Sequence, residues 1–215
     1  MCFSATASFT AASLLSVIGI ASLKSIKTPK YTLIAAIPLL FGIQQFCEGV
    51  VWVSLNYGLS ETLLYLFSYS FLFFAYILWP FWIPLSLYFL EIHKQRKNWF
   101  MGLVVLGISL SVFLIYTMYM HGITPTIVDQ HITYDTNSYD NRIALIGLLV
   151  YFMTTILPFF LISSFMLNIF GILLLLSAAI SLYVWSVAFT STWCFFSAIL
   201  SSFLYLALSK NNKAE

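Results

Sequence analysis

Few side chains in this sequence can do chemistry, and the ones that can sit in unusual places. Phe41-Gly-Ile-Gln-Gln-Phe-Cys-Glu-Gly-Val-Val-Trp52 puts Gln44, Gln45 and Glu48 inside an apolar run. A carboxylate surrounded by hydrocarbon costs several kcal/mol unless it is paired, protonated or bound to a cation. At helical spacing Phe41, Gln44, Gln45, Glu48 and Trp52 share one face, which must look into a bundle interior or a wet cavity rather than at lipid. Two thiols, Cys2 and Cys194, and an imidazole, His131, complete the set. Thiolate, imidazole and carboxylate are the ligand types of zinc, and in part of copper and iron. Cys2, Glu48, His131 and Cys194 are therefore the expected metal ligands. A bound metal with an open position would acidify water for hydrolysis. Glu48 would then serve as a ligand or as general base, and Cys2 as the second catalytic residue. If Met1 is removed, the Cys2 amine and thiol can chelate together, or the thiol can attack with the amine as base. Against this stands a plainer alternative, a disulfide between Cys2 and Cys194. Cys47 reads as helix packing. Gln44, Gln45, Trp52, Tyr134 and Trp193 are the expected lining of a substrate cavity.

The elements that hold these residues follow from composition. Of 215 residues, 61% are hydrophobic and 7% charged, whereas a soluble domain carries about 25% charged residues. A fold of this size cannot hide so much apolar surface from water, so an all-α, polytopic membrane protein is expected. Nucleic acid is excluded as a partner, because no basic patch exists. Membrane lipids are the expected surroundings, and a small molecule or lipid the expected substrate. The N-terminal run reads as a retained helix rather than a secretory signal, since no positive charge precedes it.

Apolar runs and breakers predict seven spans in one bundle, at about 4–23, 31–57, 61–90, 99–119, 142–163, 169–187 and 192–209. Ser4, Ser8, Ala12 and Ser16 form a small-residue stripe on the first. Pro80 and Pro84 are expected to kink the third, with Trp79 and Trp82 in an interfacial belt. The polar segment from His121 to Asn141 is long for a connection, and Thr126-Ile-Val128 alternates weakly enough to suggest a hairpin. Phe189-Thr-Ser-Thr192 reads as a turn. The loops after the first and third spans carry six of the nine basic residues. By the positive-inside rule that side is cytoplasmic and the N-terminus lies outside. Glu48 is then ~13 Å below the outer end of its helix, at 1.5 Å per residue. Cys2, His131 and Cys194 share that outer half.

Four segments carry a family likeness. Met1-Cys-Phe-Ser-Ala-Thr-Ala-Ser-Phe9, Phe41-Gly-Ile-Gln-Gln45 with Glu48-Gly49, His131-Ile-Thr-Tyr134 and Trp193-Cys-Phe-Phe-Ser-Ala198 resemble an uncharacterised family of bacterial multipass membrane proteins. The resemblance implies a bacterial inner-membrane location and carries no activity with it. Three functions fit the residues: a metal- or thiol-dependent hydrolase on a lipid-like substrate, a proton-coupled transporter using Glu48, and a heptahelical sensor or scaffold.

Overall fold

In the computed structural model, which describes residues 4–135 and 141–211, seven helical spans are long and apolar enough to cross a membrane. The first is α1, Ala5–Ser25, which Ser4 caps by accepting the Ala7 amide at 3.2 Å. The second divides at Ala36 into α2, Thr32–Ala35, and α3, Ile37–Tyr57. The amide-less Pro38 falls in the first turn of α3, where no amide partner is needed. Gly58, at φ 63° in the left-handed region, ends α3, a conformation that glycine adopts without steric cost.

The third span runs through α4, Glu61–Leu72, a π-helical segment, Phe73–Leu78, and α5, Trp79–Leu90. The irregularity expected at Pro80 and Pro84 thus takes the form of a π turn just before Pro80. A π turn leaves main-chain groups less well paired. Two side chains meet them: the Tyr151 hydroxyl donates to the Ala75 carbonyl at 2.6 Å, and the Ser111 hydroxyl donates to the Ile77 carbonyl at 2.9 Å.

The fourth span is α6, Lys94–His121, longer than expected at its N-terminal end. A hairpin follows, with β1, Thr124–Val128, paired antiparallel to β2, His131–Asp135. Its two-residue turn, Asp129-Gln130, has both residues at positive φ, which matches the right-handed strand twist. The fifth span comprises α7, Asn141–Thr155, and α8, Pro158–Leu161. The sixth is α9, Phe165–Val184, and the seventh is α10, Phe189–Asn211. The turn expected at 189–192 instead lies at Ser186–Ala188, so Thr190, Ser191 and Thr192 belong to the membrane helix.

The second span is the centre of the bundle: 67% of its most apolar stretch is buried, against 28–50% for the others. Small residues permit this. Ser8 and Ala12 of the α1 stripe are buried, and a Cβ on Gly42 would fall 2.8 Å from the Ser16 hydroxyl. Close backbone approach of this kind is how helices associate in lipid. Trp79 does not take the interfacial place expected of it, and Trp82 is half-buried. Trp79 is buried and stacked on Phe41 at 4.1 Å between ring centres, and Trp82 donates to the Leu33 carbonyl at 3.1 Å.

Candidate functional site

The Glu48 face of α3 points into the bundle. Gln44, Gln45 and Glu48 have no exposed surface, and Trp52 is buried one turn further on. Each finds its partners, or fails to, on a different helix. The Trp79 indole donates to Gln44 Oε1 at 2.8 Å. The Ser191 hydroxyl donates to Glu48 Oε1 at 2.5 Å. The Gln45 amide lies beside the Glu48 carboxyl but outside hydrogen-bond geometry. Gln44 Nε2, both polar atoms of Gln45, Glu48 Oε2 and the Trp52 indole nitrogen are enclosed and have no partner. Native interiors leave few polar groups in this condition, and several on one face require an explanation.

Two other elements close on this face. Cys194, one turn from Thr190 on α10, is a buried free thiol near Gln44 and Glu48. Tyr134 reaches in from β2, stacking on Phe71 at 5.1 Å between ring centres and packing in the cluster that holds Cys47 and Cys194. Burial holds the Tyr134 phenol well above its ordinary pKa, and the nearby Glu48 and Cys194 push it in the same direction. It is therefore a neutral hydrogen-bonding group. The Tyr76 and Thr190 hydroxyls, 3.1 Å apart, tie the π segment to α10 at the same level. A π turn beside a polar cluster is a common placement for functional residues.

The expected four-ligand metal set is not assembled by the described residues. No group of three or more His, Cys, Asp and Glu side chains among them is placed to hold a metal ion. Glu48 and Cys194 are neighbours, but His131 is not with them. Residues 131 and 134 are an odd number of places apart on one strand, so they project to opposite faces of the hairpin. Tyr134 takes the inward position, and His131 instead meets Trp185 edge-to-face at 5.5 Å. Burial lowers the His131 pKa, with Asp129 opposing. Cys2 lies outside the described residues. Cys194 is free, so the disulfide alternative does not hold for it.

Of the expected cavity lining, Trp193 alone borders the two spaces that adjoin Cys194; Gln44, Gln45, Trp52 and Tyr134 line neither. Trp193 and Cys194, with Tyr151, border both spaces at once. One is an inner cavity of about 40 Å³ that also touches Phe41, Trp79 and Ser197. The other is a groove of about 220 Å³ between α6, α7 and α10. Trp52 packs in the main core.

Several residues were invisible from sequence. Ser191 was hidden because its Thr-Ser-Thr context resembles a turn. Trp79 was hidden because tryptophan beside proline suggests a membrane interface. Glu91 had no signal at all. It is buried at the opposite end of the bundle, where its carboxylate accepts the Ile92 and His93 amides at 2.9 and 3.0 Å. The Ser163 hydroxyl lies 3.2 Å from both its oxygens, and Arg96 donates to that hydroxyl at 2.6 Å. Burial alone would raise the Glu91 pKa. The hydrogen bonds from His93, Ile92 and Ser163 outweigh burial and hold it below the usual glutamate value.

Fold and site together define a class: a seven-span membrane protein with a polar, thiol-containing cluster enclosed in one half of its bundle. The chain belongs to the family of unknown function DUF6629, whose profile matches residues 1–215. No curated protein and no solved structure matches the chain.

Proposed function

We propose that this protein is a small-molecule-binding protein of a bacterial inner membrane. Gln44, Gln45 and Glu48 would hold the polar part of the ligand, with Cys194 and Tyr134 beside it. The observation that carries this reading is the set of enclosed polar atoms without partners on one helix face. A bound molecule supplies those partners, and a site kept ready for one tolerates the cost in its absence. By the positive-inside rule the hairpin end of the bundle, and the site with it, lies on the non-cytoplasmic side. A sensor or carrier role fits better than metal-dependent hydrolysis, because the strand alternation that brings Tyr134 inward turns the candidate metal ligand His131 away.

The test is native mass spectrometry of protein extracted gently from its own membrane. A stoichiometric small-molecule adduct is expected on the wild type and is expected to disappear in Gln44→Leu and Gln45→Leu. Absence of any adduct from the wild type, with the variants folded, would sink the reading. So would stoichiometric zinc, copper or iron in the purified protein, which would restore the metal centre with Cys2 as a ligand. A second reading, a proton-coupled carrier, is favoured by the π turn packed against the site. It requires that Glu48→Gln abolish pH-driven flux in liposomes.

A further inference from the structure

The groove between α6 and α7 gives the binding site a direction. Its walls include Phe113 and Ile143, which are 40% and 46% exposed on the surface that a bilayer would cover. At its back stand Tyr151, Trp193 and Cys194, the same three residues that border the inner cavity. The Trp193 indole N–H is enclosed and has no acceptor. Among the described residues, the hairpin covers the aqueous side of the site. Ile132 of β2 and Ile123 just before β1 are buried, and Tyr134 is stacked on Phe71. The route these residues leave toward Gln44 and Glu48 runs sideways, from the lipid, by way of the groove.

The unpartnered atoms describe its head. Four N–H donors lack acceptors: Gln44 Nε2, Gln45 Nε2, Trp52 Nε1 and Trp193 Nε1. No Lys or Arg occurs at positions 31–93 or 143–209, so these spans offer an anionic head no counter-charge. An ammonium head would meet the free oxygens of Gln45, Glu48 and Tyr134 but leave these four N–H donors unpaired. A head that accepts hydrogen bonds without charge, such as an ester, ketone or quinone-type carbonyl, offers these donors acceptors and brings no charge to be compensated.

Resting on the binding-site reading above, we infer that the ligand is a membrane-dissolved amphiphile with an uncharged, carbonyl-type head. Its chain lies in the α6–α7 groove, and its head passes the Trp193–Cys194 wall to reach the Gln44–Glu48 face.

Two glycines make the idea testable without disturbing the fold. A Cβ on Gly147, in the groove, meets nothing within 4 Å. The same holds for Gly102, which borders a separate groove at the opposite end of α6. Gly147→Trp should fill the groove, and Gly102→Trp is its control. The probes are methyl 5-doxylstearate, 5-doxylstearic acid at a pH where it is ionised, and a doxyl-labelled stearylammonium. Each is added to the full-length protein in detergent micelles, and the immobilised fraction is read by electron paramagnetic resonance.

The ester should show an immobilised component at least fivefold larger than either charged probe. Gly147→Trp and Gln45→Leu should each reduce it at least fivefold, and Gly102→Trp should leave it unchanged. Loss in Gln45→Leu but not in Gly147→Trp keeps the polar site and overturns the lateral route. Equal or greater immobilisation of a charged probe overturns the neutral head. Ester immobilisation indifferent to both Gln45→Leu and Gly147→Trp overturns the site and the route together.

Discussion

Gln45→Leu is the sharpest test of the physics. Gln45 has no exposed surface, and neither its Nε2 nor its Oε1 has a hydrogen-bond partner. Leucine is close to it in size, so the exchange removes two unsatisfied polar atoms while opening little space. An unsatisfied buried polar group costs about 1–3 kcal/mol. Interhelical hydrogen bonds within membranes are worth only about 0.6 kcal/mol on average, because the unfolded chain in lipid also finds partners. A net stabilisation of about 1–3 kcal/mol is therefore expected for the two atoms together. Each 1.4 kcal/mol or so is tenfold in an equilibrium constant. The unfolding constant in a mixed-micelle SDS titration should fall by about 5-fold to about 140-fold, while ligand binding is lost. Gln44→Leu should gain less, because Gln44 Oε1 accepts from Trp79. If Gln45→Leu is instead destabilised by more than about 1 kcal/mol, the amide is a structural strut. The inference from orphaned atoms to a ligand site would then be refuted.

Other perturbations follow from single contacts. Ser191→Ala removes the hydroxyl that Glu48 Oε1 accepts from and should cost about 1–3 kcal/mol; SDS titration should also show Glu48→Gln, Ser191→Ala to be less than additive. A Cβ on Gly107 would fall 2.1 Å from the Pro80 carbonyl oxygen, a backbone atom that cannot step aside. Gly107→Val should therefore separate α5 from α6, lowering thermal stability by about 1–3 kcal/mol or preventing folding. Glu91 sets an acid limit. Its folded pKa is lowered, so its contribution is complete above the ordinary glutamate pKa of about 4.3 and is lost as pH falls through the lower, folded value. Thermal stability followed downward from pH 6 should decline more steeply in the wild type than in Glu91→Gln.

Much of this protein is determined by the chain's own residue order. Seven spans follow from apolar length, since each must exceed the hydrocarbon thickness and few side chains interrupt it. The burial of Gln44, Gln45 and Glu48 follows from depth, because polar groups on one helical face in lipid have nowhere else to turn. Even the hairpin left a trace, in the alternation at Thr126-Ile-Val128. What tertiary structure alone decided is who meets whom. Helical and strand periods say which residues share a face, never which other element that face contacts. So Ser191 rather than a loop histidine reached Glu48, and Trp79 left the interface to hold Gln44. Tyr134 displaced His131, because a strand cannot turn residues three apart to the same side. The groove behind Trp193 also exists only by assembly, since a gap between α6 and α7 belongs to no single segment of sequence.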